Sequence, residues 1–335
     1  MATLGVGVVG CGFVGRGAHV PAISMIENAR LVAIADADDK RRNKVVKKYG
    51  VESAYADYQE LIADPNVEAV IVSLPTHLHV KATLAAITAG KHVLCEMPLA
   101  ANLGEVEQMI EAARGADVFM MPGLTFRFTP NYVKAKQMIE EGKLGNLSAV
   151  MYREFIPAKD LAGQWPPGAW VWNVKETGGP LFTLAVWSID LLRWLTGQEV
   201  TSVNAATKYT TLEKYGGTLG YDAAAVLRFT GGIVGCLQYS GSVTHSASTS
   251  RLEVVGDSTY LLDASGNDKV SLFAEDPFKA EWDVKQGGPR MWGHLQQDEY
   301  FVQCILDGTP PSITPEDGRK AMEVALQIAA AGEDA

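Results

Sequence analysis

The chain has 335 residues, 47% of them hydrophobic and 20% charged, with a formal net charge of −10. This is a globular composition, long enough for two domains of ordinary size, and its acidic balance opposes the nonspecific nucleic-acid or anionic-membrane binding that dense positive charge supports. A small-molecule partner is therefore expected, with no nucleic acid and no membrane. No apolar run approaches the roughly 20 residues of a membrane span, and the opening run lacks a charged leader and is broken by glycines. Cys11, Cys95, Cys236 and Cys304 are far apart, with no CxxC and no clustered histidines. Neither a metal site nor a disulfide framework follows from them, and a cytoplasmic location fits.

From residue 4 to about 121, short apolar runs alternate with helical patterns, as in a parallel sheet wound with helices. Strands are predicted at Val6 to Val9, Leu31 to Ala35, Ala69 to Val72, His92 to Cys95 and Val118 to Met120. Between them Val80, Leu84 and Ile87 repeat at helical spacing, and Gly90 stops that helix. After Pro130 a helix runs through Glu141, and beyond GKLGNLSAV the pattern changes to period-two alternation. Ala223, Ala225, Leu227 and Phe229 share one face, and Gly231-Gly232 turns the chain into a strand from Ile233 to Tyr239. Further strands at 200–211, 250–256 and 258–263 imply one large, mostly antiparallel open sheet, with helices near 181–195, 292–306 and 315–331. The fold class is thus α/β: a dinucleotide-binding domain over 1–122 and a C-terminal α/β domain over 123–335, whose last helix can pack back on the first. The outward face of the second sheet has no obvious covering helix, so a homodimer or homotetramer is expected.

Residues 4–15 read LGVGVVGCGFVG, a strand that enters Gly10, Gly12 and Gly15 in the spacing GxGxxG and opens a helix. Gly10 makes the tight turn, Gly12 lets the backbone approach a pyrophosphate, and Gly15 lets helix and strand pack closely. Asp36 closes the second strand, 21 residues beyond Gly15, where a carboxylate accepts from adenosine ribose hydroxyls. The cofactor read from this Rossmann pattern is NAD. Lys40, Arg41 and Arg42 follow closely and could reach a 2′-phosphate, which leaves NADP open.

GCGFVG, LPTHLH at 74–79, AGKHVLCEMPLA at 89–100, GLTFRFTP at 123–130 and GKLGNL at 142–147 together resemble the Gfo/Idh/MocA family of glucose-fructose oxidoreductases and inositol dehydrogenases. RLEVVGDSTYLLD at 251–263 and TPPSITPEDGRKAMEVAL at 309–326 extend the resemblance over nearly the whole chain. Membership implies NAD(P)-dependent oxidation or reduction of sugars, cyclitols or related hydroxyl compounds. It also implies that Phe13, Val14, Ser73, Pro75, His79, Glu96, Met97 and Arg127 join Gly10, Gly12, Gly15 and Asp36 around the cofactor. Glu96 and Pro98 match the outer residues of the family's Glu-Lys-Pro motif, and Asp190 matches the last aspartate of its Asp-x-x-x-His-x-x-Asp pattern. Three positions depart: Met97 replaces the lysine, Thr183 the first aspartate and Trp187 the histidine.

The departures fall on the groups that move protons. A positioned acid or base contributes on the order of 10²–10⁴ in rate, which a thioether cannot supply, and an indole N–H only donates. By residue type Met97 and Trp187 read as packing residues; at these motif positions they, with Thr183, are also expected to shape the substrate pocket. Five of the seven tryptophans fall between 165 and 194, and Trp165, Trp170 and Trp172 occupy a Pro/Gly-rich loop suited to lining it. Candidates for a substitute base are Lys175, just before Gly178-Gly179, then Tyr152 and Lys159. His77 and His79 form an HxH pair without a third ligand, suited to capping or ribose contact. Three functions compete: an NAD(P)-dependent oxidoreductase with a relocated proton-transfer group, an enzyme that keeps NAD bound for elimination, hydrolysis or epimerisation without net redox change, and a noncatalytic NAD-binding subunit or sensor.

Overall fold

The computed structural model describes residues 3–331 apart from 166–167, 174–176, 178, 217, 244–248, 267, 275–278 and 285–291. The chain divides into two compact units, Met1–Thr125 with Gly287–Lys320, and Phe126–Gln286 with Ala321–Ala335. Residues 287–320 thus group with the first unit, where the sequence reading had kept 123–335 together.

In the first unit β1 (Leu4–Val9) leads through a helical stretch into α1 (Val20–Ile23), then β2 (Ala29–Ala35), α2 (Asp39–Tyr49), β3 (Ser53–Tyr55), α3 (Tyr58–Ala63) and β4 (Ala69–Val72). There follow α4 (Thr76–Thr88), β5 (His92–Cys95), α5 (Leu103–Arg114) and β6 (Met120–Pro122). The six strands pair in parallel in the order β3-β2-β1-β4-β5-β6. Every residue of β1 and β4 is buried, which is why these strands read as unbroken Val/Ile runs rather than alternating ones. The strand order reverses direction between β1 and β4, the place where a doubly wound sheet opens a crevice at its carboxyl ends. Asp38 caps α2 by accepting from the N–H groups of Lys40 and Arg41, and Gly90, at φ +70°, ends α4. β3 lay outside the predicted strands because three residues are too few to show a period.

The second unit opens with α6 (Pro130–Glu140), β7 (Leu147–Phe155), α7 (Ala158–Gln164) and α8 (Pro180–Thr196). The strands β8 (Val200–Leu212), β9 (Thr218–Phe229), β10 (Val234–Ser240), β11 (Thr249–Gly256), β12 (Leu261–Ser265), β13 (Lys269–Phe273) and β14 (Lys279–Asp283) complete its sheet. The order is β14-β13-β12-β11-β7-β10-β9-β8, antiparallel except where β10 runs parallel to β7. α8 packs on β7 and β9, while α6 packs on β12 and β13, so Val150, Tyr152, Leu237, Ala225 and Leu227 face a helix-covered core. The opposite face carries Val226 and Val234, 48% and 41% exposed. The expected strand at 258–263 begins instead at Leu261, because Asp257 to Tyr260 make the turn and Thr259 takes φ +67° there. α9 (His294–Leu306) belongs to the first unit, and α10 (Pro315–Ala330) follows it.

Candidate functional site

At the carboxyl end of β1 the glycine loop is fixed by backbone contacts that leave no room for side chains. Gly10 has φ +95°, and a Cβ there would stand 2.2 Å from the Ser73 carbonyl oxygen. A Cβ on Gly15 would stand 1.8 Å from the carbonyl oxygen of Gly10. Gly12 differs: a Cβ on it would meet nothing within 4 Å, so its lack of a side chain serves what approaches from outside. The helix that follows contains a π-turn over Gly15–His19, an irregularity common at functional sites.

Asp36 accepts from the backbone N–H of Cys11 through Oδ2 and of Asp38 through Oδ1, each at 2.8 Å. Its carboxylate, on a side chain 8% exposed, is thereby oriented beside the loop, with lone pairs left for ribose hydroxyls. Arg41 lies 3.6 Å from Oδ2 and Arg42 is bonded to Asp39 and to the Asp36 carbonyl, so both arginines are drawn to carboxylates of this segment. Burial, aided by the Asp36 charge, pushes the Cys11 thiol up to about 12, which makes Cys11 a packing residue. Phe13 stands 38% exposed at the start of the helix, and Val14 follows it.

The Glu96-Met97-Pro98 turn follows β5 in the same unit, with a cis peptide before Pro98. The Glu96 side chain is turned inward. Its Oε1 accepts from His19 Nε2 at 2.8 Å, Oε2 accepts from the Met97 N–H at 3.3 Å, and His294 Nε2 lies 3.7 Å away. The other nitrogen of His19, Nδ1, bonds Asp298 of α9 at 2.9 Å. Burial alone would depress the His19 pKa; the Asp298 charge and the hydrogen bonds to Asp298 and Glu96 outweigh it and push it up to about 10. Burial would likewise raise Glu96, but the hydrogen bond and charge of His19 hold it below the ordinary carboxylate value. Donor atoms of His19, Glu96 and His294 lie within 4.8 Å of one another, a spacing that could hold a metal. With both nitrogens donating, the His19 imidazolium supplies a positive charge between the carboxylates of Glu96 and Asp298.

His79, expected at the cofactor, is engaged by the main chain. Its Nδ1 and Nε2 lie 2.9 and 2.8 Å from the carbonyl oxygens of Pro98 and Leu74; burial lowers the pKa of this ring, and the neutral imidazole donates to one of the two. Met97 is buried, at 4% exposure.

In the second unit Arg127 donates from Nε and Nη2 to the two carboxylate oxygens of buried Asp190 at 2.7 and 2.6 Å. Arg193 joins Asp190 at 3.2 Å and Glu199 at 2.7 Å. Asp190, one of the retained motif positions, is therefore the anchor that orients Arg127. Thr183 is buried and returns its hydroxyl to the Gly179 carbonyl at 2.9 Å, one turn before half-buried Trp187. Trp165 and Trp172 stack edge to face with centroids 6.3 Å apart, and Trp172 Nε1 donates to the Trp165 carbonyl; with half-buried Trp170 they form a compact aromatic loop. Of the candidate bases, Lys175 lies outside the described residues, Lys159 is exposed on the first turn of α7, and Tyr152 is buried on the core face of β7. Burial raises the Tyr152 pKa well above 10, so its phenol donates rather than accepts a proton near neutrality.

His19, His294, Asp298 and Glu154 escaped the sequence reading. His19 and Asp298 are 279 residues apart, and no spacing rule joins them. Glu154 does carry a signal in retrospect: it sits two positions from Tyr152 on an alternating strand, a carboxylate where the pattern calls for an apolar residue.

The description "Oxidoreductase family, NAD-binding Rossmann fold" matches residues 4–124, and the Gfo/Idh/MocA C-terminal domain matches residues 132–261. The chain is 31% identical over 329 residues to a myo-inositol 2-dehydrogenase of Thermotoga maritima, covering 95% of this chain and 92% of that one. It is 31% identical over 236 residues to a levoglucosan dehydrogenase of Pseudarthrobacter phenanthrenivorans, covering 68% and 60%. A scyllo-inositol dehydrogenase of Lactobacillus casei, solved with NAD(H) and scyllo-inositol, superposes with a TM-score of 0.83 at 25% identity over 99% of this chain and 97% of that one. The chain belongs to the Gfo/Idh/MocA family of NAD-binding oxidoreductases. NAD is its cofactor, and the open side of Gly12 beside Asp36 fits it. No helix among the described residues is long and apolar enough to cross a membrane.

Gly12→Val is expected to abolish NAD binding in calorimetry while leaving the thermal transition nearly unchanged, because its side chain projects into open space. Gly15→Ala should instead destabilise the first unit by its collision with Gly10. The same titration should show NAD(H) bound more tightly than its 2′-phosphorylated form, since Asp36 repels a 2′-phosphate; the reverse order would assign Arg41 and Arg42 to phosphate binding.

His19→Ala should lower the unfolding free energy by about 3–5 kcal/mol at neutral pH, as expected when one member of a buried ion pair is removed. The folded pKa near 10 lies above the ordinary 6.5, so this stabilisation is complete below about 6.5 and is lost as pH rises through 10. Urea unfolding of wild type and variant should show their difference shrinking over that window, and a constant difference would contradict a charged His19.

Proposed function

We propose that this protein interconverts a cyclic polyol, sugar or related ring alcohol with its carbonyl form, and that a group other than residue 97 carries the hydroxyl proton. The observation that carries the reading is the pairing of an intact nucleotide loop with a methionine in the Glu96–Pro98 turn. NAD supplies a hydride acceptor when bound. Removal of the hydroxyl proton falls to the protein, and the Met97 thioether has no basic lone pair for it. The inositol and levoglucosan names of the relatives support a ring substrate bearing several hydroxyls. Aromatic faces at Trp165, Trp170 and Trp172 suit the C–H face of such a ring. Lys175 and Lys159 stay candidates from sequence for the missing base, while buried Tyr152 suits hydroxyl donation.

A panel of cyclitols, hexoses and anhydrosugars, followed by the absorbance of reduced nicotinamide, is expected to reveal turnover of at least one compound. Met97→Ala should then alter kcat by less than about tenfold, since no proton transfer is lost with the thioether. Wild type that reduces no NAD on any member of the panel would overturn the proposal and favour a noncatalytic NAD-binding role.

The exposed β8–β10 face of the second sheet, with Val226, Val234 and Cys236 outward, supports assembly into a homodimer or homotetramer. Light scattering should show more than one chain per particle, with Val226→Lys shifting the mass downward; a clean monomer at micromolar wild-type concentration would reject the assembly.

A further inference from the structure

The outer face of the second sheet carries a hollow that none of the roles above uses. It lies where β7, β10, β9 and β8 run side by side, and its volume is about 430 Å³. The register explains it. Ala206 of β8 stands opposite Ala224 of β9, which stands opposite Gln238 of β10, so two methyl side chains floor this part of the sheet. The next row, Lys208, Asp222, Ser240 and Phe155, forms one wall. All of these residues belong to the second unit.

The polar groups of the hollow are left open. Lys208 and Asp222 face each other across the β8–β9 ladder, where opposite charges start about 5 Å apart and can pair. Yet among the described residues nothing hydrogen-bonds or pairs with the Lys208 ammonium, nor with the Gln238 amide. Asp222 Oδ1 accepts from the hydroxyl of Ser240 at 2.6 Å, which orients the carboxylate and leaves Oδ2 without a donor among those residues. Ser240 is 7% exposed, so that contact is built into the sheet rather than made at its surface.

We propose that this hollow binds a cyclic polyol or sugar, with its C–H face on Ala206, Ala224 and the Phe155 ring and its hydroxyls on Lys208, Asp222 and Gln238. The ligand class follows from which groups must be satisfied when the hollow is filled. An apolar molecule would strip water from an ammonium and a carboxylate and return nothing. An anion would meet Lys208 but be opposed by Asp222, and a cation the reverse. A zwitterion brings an ammonium that seeks several acceptors and a carboxylate that seeks several donors, against one free carboxylate oxygen and one ammonium. A hydroxyl both donates and accepts, so adjacent hydroxyls on a ring match a row holding a donor, an acceptor and an amide that is both.

A volume of this size, with an apolar floor and a few polar groups, is that of an ordinary small-molecule site. A few exposed hydrogen bonds over a floor of two alanines make the affinity expected millimolar in class. Binding here does not depend on the reaction proposed above: it calls for no turnover, so either can fail without the other. Val226 and Cys236 form the adjoining row of the same face, beyond Ala224 and Gln238. Cys236 is the exposed one of the four cysteines, so a label on it reports on the hollow from within the second unit.

The fluorine resonance of a trifluoroethylthio group on Cys236 tests the site in the full-length protein with NADH bound, a form that leaves a polyol no hydride acceptor. Titration with myo-inositol or glucose should move the resonance along a saturable curve with a millimolar midpoint. Ala224→Leu fills the floor and Lys208→Met removes the donor. Both positions are exposed, so the thermal transition should stay in place while each midpoint rises by at least about tenfold. A curve that both variants keep unchanged overturns the site, as does a resonance that neither compound moves. Saturation by glycine but by neither polyol overturns the ligand class in favour of a zwitterion, and saturation by inorganic phosphate alone in favour of an anion. A Cys236 that stays unreactive in the native protein shows this face covered by a second copy and overturns a ligand site open to solvent.

Discussion

One buried imidazolium organises the first unit. His19 stands at the end of the π-turn opened by the glycine loop, and it bonds Glu96 after β5 with one nitrogen and Asp298 of α9 with the other. Three stretches remote in sequence are thus fixed to a single ring that carries charge because two carboxylates surround it. A buried charge is tolerable only when fully paired, so the arrangement is all or nothing: removing any partner leaves the others uncompensated. Glu96 is consequently held with its carboxylate inward, and the Met97-Pro98 peptide is presented in a fixed place. The buried ring of His79 packs between the Leu74 and Pro98 carbonyls on the other side of the same turn.

That rigidity explains how a lysine can be absent from this turn without loss of the turn itself. What shapes it is the side chain of Glu96 and the ring of His79, and neither needs the residue at 97 to be charged. The methionine there is buried, and a Cβ on Gly318 would fall 3.4 Å from its sulfur. Cofactor geometry and proton transfer are therefore separable properties of this scaffold. The first depends on backbone contacts among glycines that tolerate no change. The second asks only for a group of suitable pKa within reach of a hydroxyl, and many positions on a sheet face can meet that demand.

In the second unit a comparable anchoring role falls to Asp190. Two guanidiniums converge on its buried carboxylate, and the bidentate contact with Arg127 fixes the plane of that side chain rather than merely its charge. Glu154 and Tyr239 are cross-strand neighbours, and Ser188 of α8 bonds the Tyr239 hydroxyl, which makes a polar edge on an otherwise apolar face. The sheet separates this edge from its opposite surface, where Val226 and Val234 are exposed.

The sequence alone determined what local backbone physics dictates. Gly10, Gly12 and Gly15 announce a loop because only glycine meets its close approaches, and the valine-rich runs announce buried parallel strands because both of their faces are covered. Asp36 is legible because its distance from the loop is set by one helix and one strand. The helix boundaries near Gly90, Pro180 and Gly197 follow from the same local rules. The tertiary structure alone decided which ionisable groups meet: His19 with Asp298, Arg127 with Asp190, Glu154 with Tyr152. It also set the His79 ring between the carbonyls of Leu74 and Pro98. Electrostatic partnership depends on distances through space, and in a doubly wound sheet or an eight-stranded one those distances are set by strand order, which no period in the chain records.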